Sequence, residues 1–175
     1  MLYKKLLKNR LTSFTDMGQL PYQGRLELYA DYSYSQFCLQ QHPDLLPKIR
    51  AENSKTSVIT FKEYRESGEL YLGAAQGINY LTGKNLTIVG TFHRPEYVYK
   101  LWGLLLDGKE IADVPAVRRV TRNGFQFPFY AYENETLREI QLWMIESESE
   151  QAVGRARLVS NDCTVKLYSN FPLKQ

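Results

Sequence analysis

The sequence predicts an all-β protein: an antiparallel β-sandwich, immunoglobulin-like or jelly-roll-like, with nine to eleven short strands and minimal helix. Three observations predict it. Between Asn85 and Glu146 apolar residues alternate with period two, the pattern of strands with one buried face. Turn residues interrupt these runs about every ten positions, the spacing of sandwiches and barrels. Tyr occurs 13 times, and aromatic rings suit pleated, half-buried surfaces.

Residues 1–20 read as a basic arm, in which Leu2, Leu6 and Leu7 suit a short amphipathic helix that needs a docking surface. In 24–40, Leu26, Leu28, Ala30, Tyr32 and Tyr34 share one face of a strand, and Phe37 falls out of phase, so the strand breaks near Ser35. Residues 41–56, with Pro43 and Pro47, read as a loop with one helical turn around Leu45. Strands 57–64 and 69–75 form a hairpin through Glu66-Ser67-Gly68. Further strands follow at 86–92, 97–106, 109–112, 116–121, 125–132 and 137–146. Asp107-Gly108 and Asn123-Gly124 are tight-turn pairs between them.

Strand 97–106 carries apolar residues on both faces and is central. In 125–132, Phe125, Phe127 and Phe129 point inward and Tyr130 and Tyr132 outward; in 137–146, Leu142 and Met144 point inward and Trp143 outward. A last hairpin joins 152–159 to 163–169. The arm is thus followed by one sandwich domain, 21–175, with a possible subdivision into 21–84 and 85–172.

A chain of 175 residues can build a core without metals or disulfides. The net charge of +3 sits in the arm, where Lys4, Lys5, Lys8 and Arg10 precede any acid. Without these four, 18 basic residues face 19 acidic ones. So neutral a body argues against a nucleic-acid surface, which needs many phosphate contacts. Cys38 and Cys163 lack metal or redox spacing and suit two buried thiols, one disulfide being the other possibility. The apolar run of the arm is too short for a signal peptide or a transmembrane helix, which leaves the cytoplasm or an assembled, exported complex as the compartment.

His42 and His93 sit beside or near prolines without zinc-ligand spacing and read as loop or surface histidines; no GxSxG elbow and no phosphate-cradling glycine motif occurs. No cofactor or metal is implied. Glu139, Glu146, Glu148 and Asp107 are the acids available for a glycosidase pair, although Asp107 suits a turn and Glu146, Glu148 and Glu150 suit a solvated loop. Arg118, Arg119 and Arg122 form the dense basic cluster of the body. It suits an acidic ligand, through forked hydrogen bonds, or a strand end that pairs with nearby acids. Trp143, Tyr130 and Tyr132 are the binding candidates, three rings on one outer face that a sugar or a protein partner would cover.

The order Ile88-Val89-Gly90, Pro95, Leu106-Asp107-Gly108-Lys109-Glu110-Ile111, Ala116 with Arg118 or Arg119, and Asn123-Gly124-Phe125-Gln126-Phe127 resembles immunoglobulin-like β-sandwich modules of bacterial glycan-associated and surface proteins. The resemblance spans 85–146. It implies a sandwich with an accessory role and no catalytic residues.

These readings converge on a non-catalytic binding or assembly module, a structural or accessory subunit that contacts a protein partner or further copies of itself through the basic arm and an aromatic sheet face. The alternatives are a carbohydrate-binding or glycan-active protein, and an inhibitor or immunity-type protein.

Overall fold

The computed structural model describes residues 20–73 and 79–174. It overturns the all-β expectation: the chain is mixed α/β, with a five-stranded parallel sheet and a separate two-stranded antiparallel ribbon. In chain order the elements are β1 (Arg25–Tyr29), α1 (Gln36–Gln41), α2 (Leu45–Glu52), β2 (Ser57–Thr60), β3 (Leu70–Tyr71) and β4 (Leu86–Val89). Then come α3 (Glu96–Asp107), β5 (Ala116–Arg122), β6 (Phe125–Ala131), α4 (Glu135–Val153) and β7 (Thr164–Tyr168). Short 3-10 turns occupy Lys62–Tyr64 and Gly154–Ala156.

The parallel sheet has the order β1-β7-β4-β2-β3. Its central strands are buried on both faces: Leu86, Thr87, Ile88 and Val89 of β4 are all inaccessible. Such continuous burial is what a parallel sheet covered on both sides requires. Gly90 follows β4 with φ near +149°, and a Cβ there would lie 2.8 Å from Leu72 and 2.9 Å from Phe61. Only a glycine lets those side chains approach the backbone so closely.

Two segments read as strands are helices. Segment 97–106 lies in α3, which Gly108 ends in the left-handed region at φ 72°, its N–H bonding Leu104 O. Asp107-Gly108 is thus a helix terminus rather than a hairpin turn. Segment 137–146 lies in α4, where the Asn134 side chain accepts from Leu137 N at 3.1 Å. Segment 137–146 carries Leu, Arg, Glu, Gln and Met, and segment 97–106 carries four Leu and one Lys, all good helix formers. Their apolar residues satisfy a 3.6-residue period as well as a period of two. Residues 109–112 and 152–159 are not strands either; the latter spans the end of α4 and the 3-10 turn.

The strand expected to reach a break near Ser35 ends at Tyr29, so Ala30, Tyr32 and Tyr34 do not lie on it; Ser35 instead caps α1, its Oγ accepting from Cys38 N at 3.2 Å. Segment 41–56 holds an eight-residue helix, α2, rather than one turn. Pro47 lies in its first turn, where a missing N–H costs nothing.

The expected hairpin 57–64/69–75 is instead a parallel pair, Ile59 opposite Leu70. The intervening loop is held by Arg50 of α2. Its guanidinium takes Glu69 through two hydrogen bonds of 3.0 and 2.7 Å, Tyr64 O at 2.7 Å and Glu66 at 3.1 Å. The end of 69–75 lies outside the described residues.

The chain divides into two compact units, a body of 20–92 and 145–174 and an inserted segment, 93–144. The insert occupies the crossover from β4 to β7, neighbours in the sheet. It contains α3, the β5–β6 ribbon and the start of α4. Cys38 and Cys163 are both free, buried thiols.

Candidate functional site

In an open α/β sheet, ligands bind outside the carboxyl ends of the strands, where consecutive connections leave in opposite directions. Here that point lies between β2, which leads to β3, and β4, which leads to β7. Apolar side chains occupy it. Phe61 is buried, its ring lies 6.3 Å from that of Phe92, and Leu72 closes on Gly90. Nearby, Thr91 Oγ1 lies 2.7 Å from Ser169 Oγ and 3.1 Å from Asn170 Oδ1 and donates to Ser33 O, tying together the ends of β1, β4 and β7. These hydroxyls are spent on the fold.

The insert has a small core of its own, made by Tyr99, Leu106, Tyr132, Leu137 and Ile140 with Trp102, Ile111 and Met144 against it. Tyr99 sits on α3 and Tyr132 just beyond β6; their rings meet edge to face at 5.9 Å. The Tyr99 phenol is pushed up to about 12 by burial, and its oxygen accepts the Arg94 N–H at 2.6 Å. Burial likewise raises Tyr132, whose hydroxyl has no hydrogen-bond partner. Asp113 fastens the loop before β5. Its carboxylate accepts Asn134 N at 2.7 Å and Val114 N at 2.8 Å, and the first of these bonds leads in lowering its pKa.

His93 is packed rather than open. Its ring stacks on Phe129 at 5.3 Å, and burial lowers its pKa to about 4. It is therefore neutral at pH 7, with Gln141 Nε2 3.5 Å from Nδ1. Gln141 itself is buried; it donates to Tyr130 O at 3.0 Å and accepts from Tyr132 N at 3.3 Å, finishing the unpaired end of β6. His42 ends α1 beside the ring of Tyr32.

The three predicted binding rings do not form one platform. Tyr130 is exposed on β6, Tyr132 is wholly buried, and Trp143 is partly buried on α4. The alternation of β6 stops at Ala131, so it says nothing about Tyr132, and Trp143 obeys a helical period. Nor do Phe125, Phe127 and Phe129 all point into a core. They share a face of the ribbon, but Phe129 is buried, Phe127 half-buried and Phe125 at the tip exposed, because cover extends only along the base. The Asn123-Gly124 turn is as expected, both residues having positive φ.

Arg118 donates to Ala131 O at 2.7 Å and lies 3.7 Å from Glu133, and Arg122 lies 3.2 Å from Glu139. Arg119, on the opposite face, is exposed. Two of the cluster thus serve the ribbon and its acids. Glu146, Glu148 and Glu150 lie on α4, where steps of 100° put Glu148 opposite the other two rather than all three together. Lys4, Lys5 and Lys8 lie outside the described residues.

Sequence reasoning missed the exposed side of α3. Tyr97, Leu101, Leu104 and Leu105 recur at i, i+4, i+7 and i+8, one stripe of a helix. Tyr97 is 71% exposed, Leu105 68% and Leu101 54%. The opposite side carries Tyr99, Gly103 and Leu106 and is buried. Gly103 is packed so closely that a Cβ would lie 2.7 Å from Leu137. The ribbon adds Val117 and Tyr130, opposite one another on its outer face and both exposed. A helical reading of 96–107 would have found the stripe, because it leaves more apolar residues than one face can bury.

Comparison with protein-family models, curated proteins and solved structures returns no match for this chain. Among the described residues, no cluster of His, Cys, Asp or Glu could hold a metal ion, and no helix is long and apolar enough to cross a membrane.

Proposed function

We propose that the protein is a non-catalytic assembly module, and that its contact surface is the exposed side of α3 with the outer face of the β5–β6 ribbon. The observation that carries this reading is the stripe of Tyr97, Leu101, Leu104 and Leu105 on the side of α3 turned away from the insert core. Apolar residues scattered singly over a surface need no explanation, but a contiguous helical stripe marks a contact. The partner we assign is a second copy of this chain. Two antiparallel copies of α3 related by a two-fold axis at Leu101 place each Tyr97 across from the other copy's Leu105. The stripe is therefore self-complementary, as an isologous interface requires.

Light scattering on the full chain across a range of concentrations tests this. The protein is expected to dimerise, and Leu101→Lys with Leu105→Lys to leave a folded monomer. A strict monomer at high concentration, or a dimer indifferent to both substitutions, overturns the assignment.

A further inference from the structure

A cleft of about 420 Å³ opens in the body at the amino-terminal end of the parallel sheet, lined by Glu27, Glu52, Asn53, Lys55 and Lys166 among others. Lys166 lies on β7, opposite Glu27 of β1 on one side and Thr87 of β4 on the other. A row of polar residues across a parallel sheet is costly to keep unless the groups are satisfied.

Asn53, beyond the end of α2 and only 4% exposed, organises the row. Its Oδ1 accepts Lys166 Nζ at 2.9 Å, and its Nδ2 donates to Ile49 O at 2.8 Å and to the Tyr168 hydroxyl at 3.1 Å. The Tyr168 ring stacks on Tyr29 at 4.5 Å, and the Tyr29 hydroxyl donates to Glu27 Oε2 at 3.1 Å. Burial is the first cause that raises both phenols; Glu27 and Glu52 add to it at each, and at Tyr168 the hydrogen bond from Asn53 works against it.

An ammonium carries three protons, and Asn53 takes one of those on Lys166. Glu52 and Lys55 face solvent, and among the described residues their side chains make no hydrogen bond or ion pair. Glu27 already serves Tyr29, and Arg25 lies 3.8 Å from it. The cleft therefore offers two ammonium groups and two carboxylates around a fixed amide, with Lys166, Lys55 and Glu52 holding spare capacity.

We propose that this cleft binds a small zwitterion with a carboxylate and an ammonium, an α-amino acid being the simplest, its carboxylate on Lys166 and Lys55 and its ammonium on Glu52. A lone anion would gain the lysines but face two carboxylates, and a lone cation would meet the reverse. A neutral sugar would shield Glu52 and Lys55 from water without supplying a counter-charge. A zwitterion meets both signs with charge-assisted hydrogen bonds.

Saturation-transfer NMR on the full chain tests this, with L-alanine, acetate, methylammonium and glucose as separate probes at about 10 mM, enough to load a millimolar site. L-alanine is expected to bind at least about tenfold more tightly than the other three, and Glu52→Gln and Lys166→Met each to weaken it by about tenfold. Glu52 lies exposed at a helix end, so its variant keeps the test sound if Lys166→Met fails to fold. No signal from L-alanine, equal binding of acetate or glucose, or an unchanged signal in Glu52→Gln overturns the proposal.

Discussion

The body (20–92 and 145–174) and the insert (93–144) draw on the same kinds of residue and use them differently. In the body, β2, β4 and β7 bury their apolar side chains almost completely, and even the expected ligand crevice is filled by Phe61, Leu72 and Phe92. In the insert, one helix carries a buried side and an exposed apolar side. The central strands of a large sheet absorb their apolar residues, although Leu28 on the edge strand β1 stays 39% exposed, whereas α3 in the insert turns only one side to the core. What remains outside is a surface available for association.

The sharpest way to break this contrast is to truncate each kind of residue. Ile88→Ala, in the centre of the body, is expected to cost about 3–4 kcal/mol in urea unfolding. Leu101→Ala, on the stripe, should stay within about 0.5 kcal/mol for the monomer. Comparable losses at the two sites would mean that the stripe is covered within the chain. Next comes Arg50→Met, which leaves Glu69 partly buried beside an unoccupied position and is expected to cost about 2–3 kcal/mol. The matched variant Glu69→Gln, which keeps hydrogen-bonding capacity, should cost less.

Acid titration probes the insert separately. His93 is held below its ordinary pKa, at about 4, so the unfolded chain binds the extra proton first. Its contribution is full above about pH 6.5 and falls as the pH drops toward 4. Asp113, also depressed, loses its contribution at lower pH, as its carboxylate takes up a proton below the ordinary carboxylate range. His93→Gln should flatten the stability profile between pH 6.5 and 4 relative to the parent, and Asp113→Asn should not. The smallest effect is expected from Tyr132→Phe. Its hydroxyl is buried without a partner, so removing it should leave stability unchanged or raise it by about 1 kcal/mol, measured by thermal unfolding.

Most strand positions were legible, and their partners were not. Val58, Ile59, Leu86, Ile88, Val165 and Leu167 advertise strands through branched and apolar side chains, and Asn123-Gly124 advertises the ribbon turn. Nothing within those short runs distinguishes a parallel neighbour from an antiparallel one. The loop after β2 reads as a hairpin until Arg50, distant in sequence, pins it. The helices α3 and α4 were legible in composition but masked by alternation, since residues such as Leu137, Ile140 and Met144 fit either period in part. The shared aromatic platform is missing for the same reason: Trp143 lies on a helix rather than on a pleat.

The position of the insert has one more consequence. The register of β7 is set by its ladders to β1 on one side and β4 on the other, and both belong to the body. The crossover therefore has to deliver a chain end to a berth that is already fixed, whatever lies between. Residues 93–144 are in that sense an exchangeable cassette. Sequence change there leaves the pairing rules of the scaffold unchanged.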